Sequence, residues 1–468
     1  MSTEAAPGKP EKKQPDWIDT VPPRVKESFL AAVKAHSAGK YGEAVTHYAM
    51  ALSILPDDPV LLTNLGVALR EEGKFKAAET CYRRAVAVRP DSPGAFSNLG
   101  NVLRRQGRLK ESVNCHRRAI ELDRKFIDAY YNLGLVLQDL GKLDESIRLF
   151  NYCLKYRPGD HRINWDKSLA LLSKGDFING FELYEYRWKR EELTLRHFRQ
   201  PVWDGSPLNG KTIFIYGEQG FGDTLNFCRY LPLVAEAGGK VIFECQPELV
   251  SLLEGMDGID AIIRNGERLP DFDVQSPLLS LPRIMKHDLK SIPRKCPYII
   301  PPAQAGFPVH VPQGTKFKIG IVWAGKPTHK NDHNRSVSIE NFLPFAGIPG
   351  VTLYSLQKGP ETAQREKYGC GLLVRDLGSG CEDFADTAKI MGQLDLIITV
   401  DTSVAHLAGA LNVPVWVAIP YNPDWRWMRK RKDSPWYPSM TLFRQKKAGD
   451  WDLVFSSMLG ALKKKIFG

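Results

Sequence analysis

Two hydrophobic patterns follow one another along the chain. Over residues 25–193 the pattern returns every 34 residues: Gly39, Gly73, Gly107, Gly141 and Gly175 keep that period. Pro56, Pro90 and Pro158 keep it too, with Arg124 in the remaining slot, and the triplet Asn-Leu-Gly recurs at 64–66, 98–100 and 132–134. A period of this length with small residues at fixed offsets predicts stacked pairs of antiparallel helices. Each recurring glycine would end the first helix of its pair, where the backbone turns left-handed. Ala44, Ala51, Ala78 and Ala85 would let helices approach, and Tyr48, Tyr82 and Phe150 would fill the space between them.

From Lys211 short apolar runs alternate with helical ones. "KTIFIYG" precedes a helix over Phe221–Ala237, "KVIFEC" precedes a helix over Pro247–Gly255, and "AIIRN" and "DFDVQ" follow. The alternation predicts parallel βαβ units. The Pro-rich stretch "YIIPPAQAGFPVHVPQ" reads as an interdomain linker. A second series then runs through "KIGIVWAG", a helix near Ile339–Phe345, "VTLYSLQKG", a helix over Asp383–Leu394, "DLIITV", a helix over Val404–Leu411 and "VPVWVAI", with a closing helix over Asp450–Ile466. The fold class expected is therefore an α-helical solenoid followed by two α/β Rossmann-like domains. Its divisions are a disordered tail 1–24, repeats 25–193, a first α/β domain 194–300, a linker 301–316 and a second α/β domain 317–468. Ligands of such sheets bind in the crevice outside the carboxyl ends of the strands.

Composition narrows the class. Lys+Arg number 64 and Asp+Glu 53, a net charge of +11 that suits anionic partners, although spread charge is more often a solvated surface. The opening "MSTEAAPGKPEKKQPDW" has no apolar core and does not read as a secretory signal. No apolar run approaches the ~18 residues of a membrane span. Eight cysteines without CxxC pairs point to a reduced, cytoplasmic protein without a zinc site.

Two segments carry candidate chemistry. "YGEQGFGDTLNFCRYLP", 216–232, lacks the lysine of a phosphate loop, and its glycines do not follow GxGxxG. It fits a tight turn after a strand, in which Gln219, Gly220 and Gly222 form a cleft loop and Asp223 stands at a helix start. Asp223 is then either a plain N-cap or an ionised carboxylate able to accept a proton. "DLIITVDTSVAHLAGAL" is a strand ending at Val400, then Asp401, Thr402 and Ser403, then a small-residue helix. Capped by Thr402 or Ser403, that helix start suits a phosphate. His406 lies a turn further on, and Arg335 in "KPTHKNDHNRS" would clamp the anion from the other side. A plain N-cap and a solvated loop explain these two features as well. "DFD" at 271–273 reads as structural, not as a metal motif. Trp425, Trp427, Trp436 and Tyr437, in the loop 421–438, serve either packing or stacking on a ligand, packing being the expectation.

The periodic half resembles the tetratricopeptide repeat (TPR) over 25–193, with four units in good agreement. The fifth is degraded, with Ser168 and Arg187 in place of small residues, and is expected to cap the solenoid and dock onto the next domain. In such repeats the first helices line the concave face, which would place Asn64, Asn98 and Asn132 there, with Asp166 next in line, as an amide ladder for an extended peptide. In the second half "GFGDTLNFCRYLP" and "DTSVAHLAGAL" resemble the Gly-Asp and donor-binding segments of the bacterial lipopolysaccharide heptosyltransferases, glycosyltransferase family 9. That resemblance covers about 211–468. It implies the two-Rossmann GT-B architecture and inverting, metal-independent transfer from a nucleotide sugar, with no cofactor. Asp223 would be the general base. Asp401, Thr402 and Ser403 would hold the donor with His406 beside them. Arg335 and Lys358 would neutralise the leaving phosphate. Heptosyltransferases act on a lipid acceptor and carry no solenoid; the fusion seen in this chain resembles the protein O-GlcNAc transferases and flagellin glycosyltransferases. The implied acceptor is Ser or Thr of a protein, such as flagellin, held by the repeats. Neither nucleic acid nor a transmembrane segment enters this reading. The competing expectations are a TPR interaction scaffold whose α/β half is inactive or binds only nucleotide, and a sugar-nucleotide epimerase.

Overall fold

The computed structural model describes residues 17–190, 193, 195–301 and 308–468. The chain forms two compact units that divide at Leu171/Leu172. The expected tail falls outside the described residues up to position 16, and the expected linker does so at 302–307.

The first unit is built of helical hairpins. Its pairs are Pro23–Ser37 with Tyr41–Ile54, Pro59–Glu71 with Phe75–Val88, Pro93–Arg105 with Leu109–Leu122, and Ile127–Asp139 with Leu143–Tyr156. Asp58 caps one first helix through the N–H groups of Val60 and Leu61, and Ser92 caps the next through Ala95. Gly39, Gly73, Gly107 and Gly141 stand at φ +73° to +76°. The N–H one residue later bonds back five residues in each case, to Ala35, Leu69, Leu103 and Leu137, at 2.8–2.9 Å. That is the Schellman closure, which carries the left-handed residue that the periodic glycines supply.

A second small position spaces the helices. A Cβ on Gly66 would lie 2.7 Å from the Tyr82 ring, one on Gly100 2.6 Å from His116, and one on Gly134 2.7 Å from Phe150. Each ring is fully buried, as are Ala44, Ala51, Ala78 and Ala85. Ordered structure starts earlier than expected. A helical turn, Trp17–Thr20, lies inside the stretch 1–24, because Trp17 donates to Asp58 at 2.7 Å and packs edge-on against Phe29. The unit boundary also falls short of 193. After the helix His161–Lys174, the short helix Phe177–Tyr184 lays Phe177 and Phe181 on Trp425 and Trp436, so it belongs to the second unit.

The second unit holds two all-parallel sheets. In the first, β1 (Thr212–Tyr216), β2 (Lys240–Cys245), β3 (Ala261–Arg264) and β4 (Val274–Pro277) lie in the order β3-β2-β1-β4. In the second, β5 (Phe317–Val322), β6 (Val351–Ser355), β7 (Val374–Asp376), β8 (Leu396–Val400), β9 (Val415–Ile419) and β10 (Met440–Arg444) lie in the order β10-β9-β8-β5-β6-β7. That is the doubly wound order, with its switch point between β5 and β8. β8 is buried at every position, as a central parallel strand should be. Asp273 is structural: it accepts from the Thr212 N–H at 2.8 Å and aligns the start of β1.

Two strands, β7 and β10, were not expected. Two expected helices are broken, and in each the break comes at a proline. The Phe221–Ala237 run divides into Phe221–Phe227, a 3-10 turn Cys228–Tyr230 and Leu231–Ala235, with Pro232 starting the last piece. The Ile339–Phe345 run divides likewise ahead of Pro344. The closing helix, Asp452–Phe467, buries Val454, Phe455, Met458 and Leu462 in the core of the second sheet. Arg229 ties the two halves of the unit. Its guanidinium donates to the carbonyls of Asn226, Pro293 and Trp436 and to the Tyr298 hydroxyl, all at 2.7–2.9 Å, while that hydroxyl donates to the Leu225 carbonyl.

Candidate active site

The loops after β1 and β8 bring the two candidate segments together. Gly220 lies at the N-cap of the helix Phe221–Phe227, and Asp223 is the third residue within it, with its Oδ2 accepting from the Gly220 N–H at 3.0 Å. Thr402 lies at the N-cap of the helix Ser403–Ala410 in extended backbone, but its side chain makes no capping bond; its hydroxyl meets that of Thr399 at 3.3 Å. The two helices touch through Gly222. A Cβ at this position would lie 2.9 Å from the His406 ring and 3.6 Å from the Ser403 Cα. Glycine at 222 is therefore what allows the two helix starts to meet.

A third segment, foreseen only for its aromatic rings, completes the site. Arg426, in the 3-10 turn Trp425–Trp427, donates through Nη2 to Asp223 Oδ1 and through Nη1 to Asp424 at 3.0 Å. Its guanidinium lies 4.3 Å over the Trp425 ring. Burial pushes the Asp223 carboxyl above the ordinary aspartate range, and Arg426 opposes that push. The reading of Asp223 as the helix N-cap is corrected, since Gly220 holds that position, and beside the helix start it is Arg426 that supplies a counter-charge. Burial would also raise Asp424, but Arg426 and the Arg426 N–H outweigh it and hold Asp424 below its usual value.

On the β8 side, Arg335 donates through Nη1 to the Asp401 carbonyl at 2.8 Å and through Nε to Asp332 at 3.3 Å. A Cβ on Gly325 would overlap the Arg335 guanidinium at 2.5 Å, so glycine after β5 admits that arginine. Burial first, and then the neighbouring Asp424, push Asp401 up to about 6 against the pull of Arg335. Gln357, after β6, accepts from the Trp323 and Ala324 N–H groups and donates to the Ala324 and Lys358 carbonyls. It ties the chain after β6 to the end of β5. Lys358 is engaged elsewhere, its ammonium donating to the carbonyls of Cys381 and Glu382.

His406 is not placed as an anion ligand. It is buried, stacked on Trp427 with ring centroids 5.0 Å apart, and bonded through Nδ1 to the Tyr437 hydroxyl at 2.9 Å. That hydroxyl donates to Asn226 Oδ1 at 3.1 Å, so its oxygen accepts from the Nδ1–H of a neutral imidazole. Burial, with Arg426 adding to it, lowers the His406 pKa to about 3. Trp425, Trp427, Trp436 and Tyr437 are all buried, which settles them as packing. Gln219 reaches the Tyr184 hydroxyl at 3.3 Å and accepts at its carbonyl from Gln246.

The amide ladder in the first unit is not open. Asn64 is 1% exposed and donates to the Val60 carbonyl of its own helix; Asn132 is 4% exposed and donates to Ser97. Asn98 is half-buried, and Asp166 accepts from the Tyr131 hydroxyl at 2.5 Å inside the core. Among the described residues no helix is long and apolar enough to cross a membrane, and no group of three or more His, Cys, Asp or Glu is placed to hold a metal ion. Two surface concavities of about 390 and 480 Å3 are lined by other residues, around Arg365–Leu372 and around Ser338–Pro344 with Asp452–Leu459.

Helical hairpins followed by parallel α/β sheets define a TPR-bearing chain. Residues 66–107 and 100–141 match the family described as TPR repeat, and residues 127–160 match the one described as Tetratricopeptide repeat. Among known proteins it is similar to Protein FlbA of Caulobacter vibrioides, 24% identical over 328 residues, which are 64% of this chain and 54% of that protein. The chain thus spans about half the length of that relative. The crystal structure of MamA protein is 23% identical, with a TM-score of 0.31, over 37% of this chain and 98% of its own. A thermophilic TPR protein of Thermus thermophilus is 20% identical, with a TM-score of 0.32, over 36% of this chain and 91% of its own. TPR solenoids offer extended protein-binding surfaces.

Proposed function

We propose that the second unit is an inverting, metal-independent glycosyltransferase of GT-B type, moving a sugar from a nucleotide sugar to a Ser or Thr hydroxyl of a protein held by the repeats. The observation that carries this reading is the meeting of Asp223 with the Thr402–His406 helix start across Gly222, beside the switch point of a doubly wound sheet. Asp223 takes the hydroxyl proton as the acceptor oxygen attacks the anomeric carbon. The carbon–oxygen bond to the phosphate breaks with its electron pair, and Arg335 with the helix start stabilises the departing nucleotide. Asp401, Thr402 and Ser403 hold the donor. The test is intact-mass analysis of candidate acceptor proteins, flagellin among them, incubated with the chain and a panel of nucleotide sugars. Wild type adds a glycan mass, and Asp223→Asn loses at least about a hundredfold in rate. Full activity in Asp223→Asn would remove it as the base.

A second reading is favoured by one observation: both Asp223 oxygens already have partners, Gly220 and Arg426. In that reading the chain is a TPR scaffold with an inactive or nucleotide-binding α/β unit. Calorimetry with the nucleotide panel and the transfer assay together separate the two: binding to no nucleotide, or binding without transfer, favours the scaffold.

A further inference from the structure

We propose that Arg426 is a positioning residue that keeps the Asp223 carboxylate ionised and fixed in direction within a buried site. This rests on the reading of Asp223 as the general base. The two residues are 203 positions apart and are joined by a direct ion pair. The arginine is the more deeply buried partner, its side chain 7% exposed against 20% for Asp223. It therefore approaches the carboxylate from the protein side and leaves the outer lone pairs to an incoming hydroxyl. A carboxylate has about four lone-pair sites, so two existing bonds do not exhaust it.

The loop that delivers Arg426 is braced at a conformational cost. Met428 stands at φ +53° and ψ −164°, a strained region that residues with a side chain rarely occupy. Arg444 holds this turn, donating to the carbonyls of Trp427, Met428 and Arg431, and Trp436 Nε1 donates to the Arg426 carbonyl at 3.2 Å. Trp425 covers one guanidinium face, and Arg426 Nε is buried without a hydrogen-bond partner. Folding alone gains nothing from a strained turn that strands a guanidinium N–H. The arrangement does aim a fixed positive charge at Asp223. The other titratable groups that act on Asp223 are Asp424, on the loop that carries Arg426, and Tyr184, at the end of the helix Phe177–Tyr184, while neutral His406 and Asp401 act with Arg426 and Asp424.

The experiment compares pH profiles of kcat/KM for wild type, Arg426→Lys, Arg426→Gln and Asp424→Asn. Losing the guanidinium charge moves the acid limb to higher pH and lowers kcat, with donor and acceptor KM little changed. Removing the Asp424 charge moves the limb to lower pH, and Arg426→Lys keeps it near wild type. An acid limb unmoved in both Arg426→Gln and Asp424→Asn overturns the proposal. Should Arg426→Gln fail to fold, the Asp424→Asn shift alone decides, since no shift refutes. Carboxyl 13C NMR of aspartate-labelled full chain, with the Asp223 signal assigned by its loss in Asp223→Asn, reads the same titration without any turnover. A wild type that transfers nothing defeats the glycosyltransferase reading. A signal that titrates alike in wild type, Arg426→Gln and Asp424→Asn defeats the role of Arg426.

Discussion

Glu218 follows β1 on the loop that leads to Asp223, and its charge should make stability depend on pH. Its carboxylate accepts from Arg187 Nη2 at 2.8 Å and from the Leu279 N–H at 3.3 Å. The same fully buried guanidinium holds Glu185 at 2.6 Å and Ser280 at 2.8 Å. Arg187 is thus shared by two acids, and Glu185 has a second, longer pairing with Arg283 at 3.8 Å. Burial, aided by Glu185 and opposed by Arg187, raises Glu218 from 4.5 to about 7. A raised acid favours the folded state fully below its unfolded value, and that contribution is lost as pH climbs through the folded value. At about 1.4 kcal/mol per pH unit, the loss between 4.5 and about 7 has a ceiling of about 3 kcal/mol. Glu218→Gln keeps the shape and a hydrogen bond but removes the titration. The assay is urea unfolding followed by tryptophan fluorescence, which reports mainly on the second unit, since only Trp17 and Trp165 of the ten tryptophans lie in the first. From about pH 5.5 to pH 8.5 the wild type should lose about 2 kcal/mol relative to Glu218→Gln. Parallel stability curves for the two proteins would refute the argument.

Arg229→Met leaves two carbonyls in buried hydrogen bonds, those of Asn226 and Trp436, without their donor. At ~1–3 kcal/mol each, less the recovered desolvation of the guanidinium, it should cost about 3 kcal/mol in the same fluorescence assay. In the repeats, Gly134→Val drives its Cβ to 2.7 Å from Phe150 and should destabilise by ~1–3 kcal/mol in thermal unfolding followed by circular dichroism. Phe150→Ala alone should cost ~3–5 kcal/mol, and the double variant should be less destabilised than the sum, because the new methyl groups occupy the vacated space.

What could be read beforehand was whatever a local rule dictates. The 34-residue glycines were legible because a left-handed φ is a demand of one residue on its own backbone, and glycine meets it at every repeat. The breaks at Pro232 and Pro344 follow a local rule as well, although the apolar runs around them hid it. β7 spans three residues, too few for an alternation to register, and β10 follows directly on the aromatic loop, with no glycine between Met428 and Met440 to mark a new element. The meeting of Asp223 with the Thr402 helix was foreseen as a consequence of topology, since both stand after strands of parallel sheets.

The misreadings share a cause: burial is a tertiary quantity. Asn64 and Asn132 occupy the same repeat position as half-buried Asn98, and nothing in the triplet Asn-Leu-Gly says which amide is sealed. The sequence places His406 within reach of the anion, yet Trp427 and Tyr437, both more than twenty residues further on, bury and engage its ring. Arg426 was hidden for a different reason. It lies three residues before a basic run, Arg429–Lys432, in which one more arginine looks like solvated charge. The signal that sets it apart is its flanking by Trp425 and Trp427. A cation between two aromatic side chains will be desolvated if those rings are core, and a desolvated arginine must find a carboxylate. With packing the expectation for those rings, a buried partner for Arg426 follows from the sequence. Only the choice of Asp223 as that partner needed the fold.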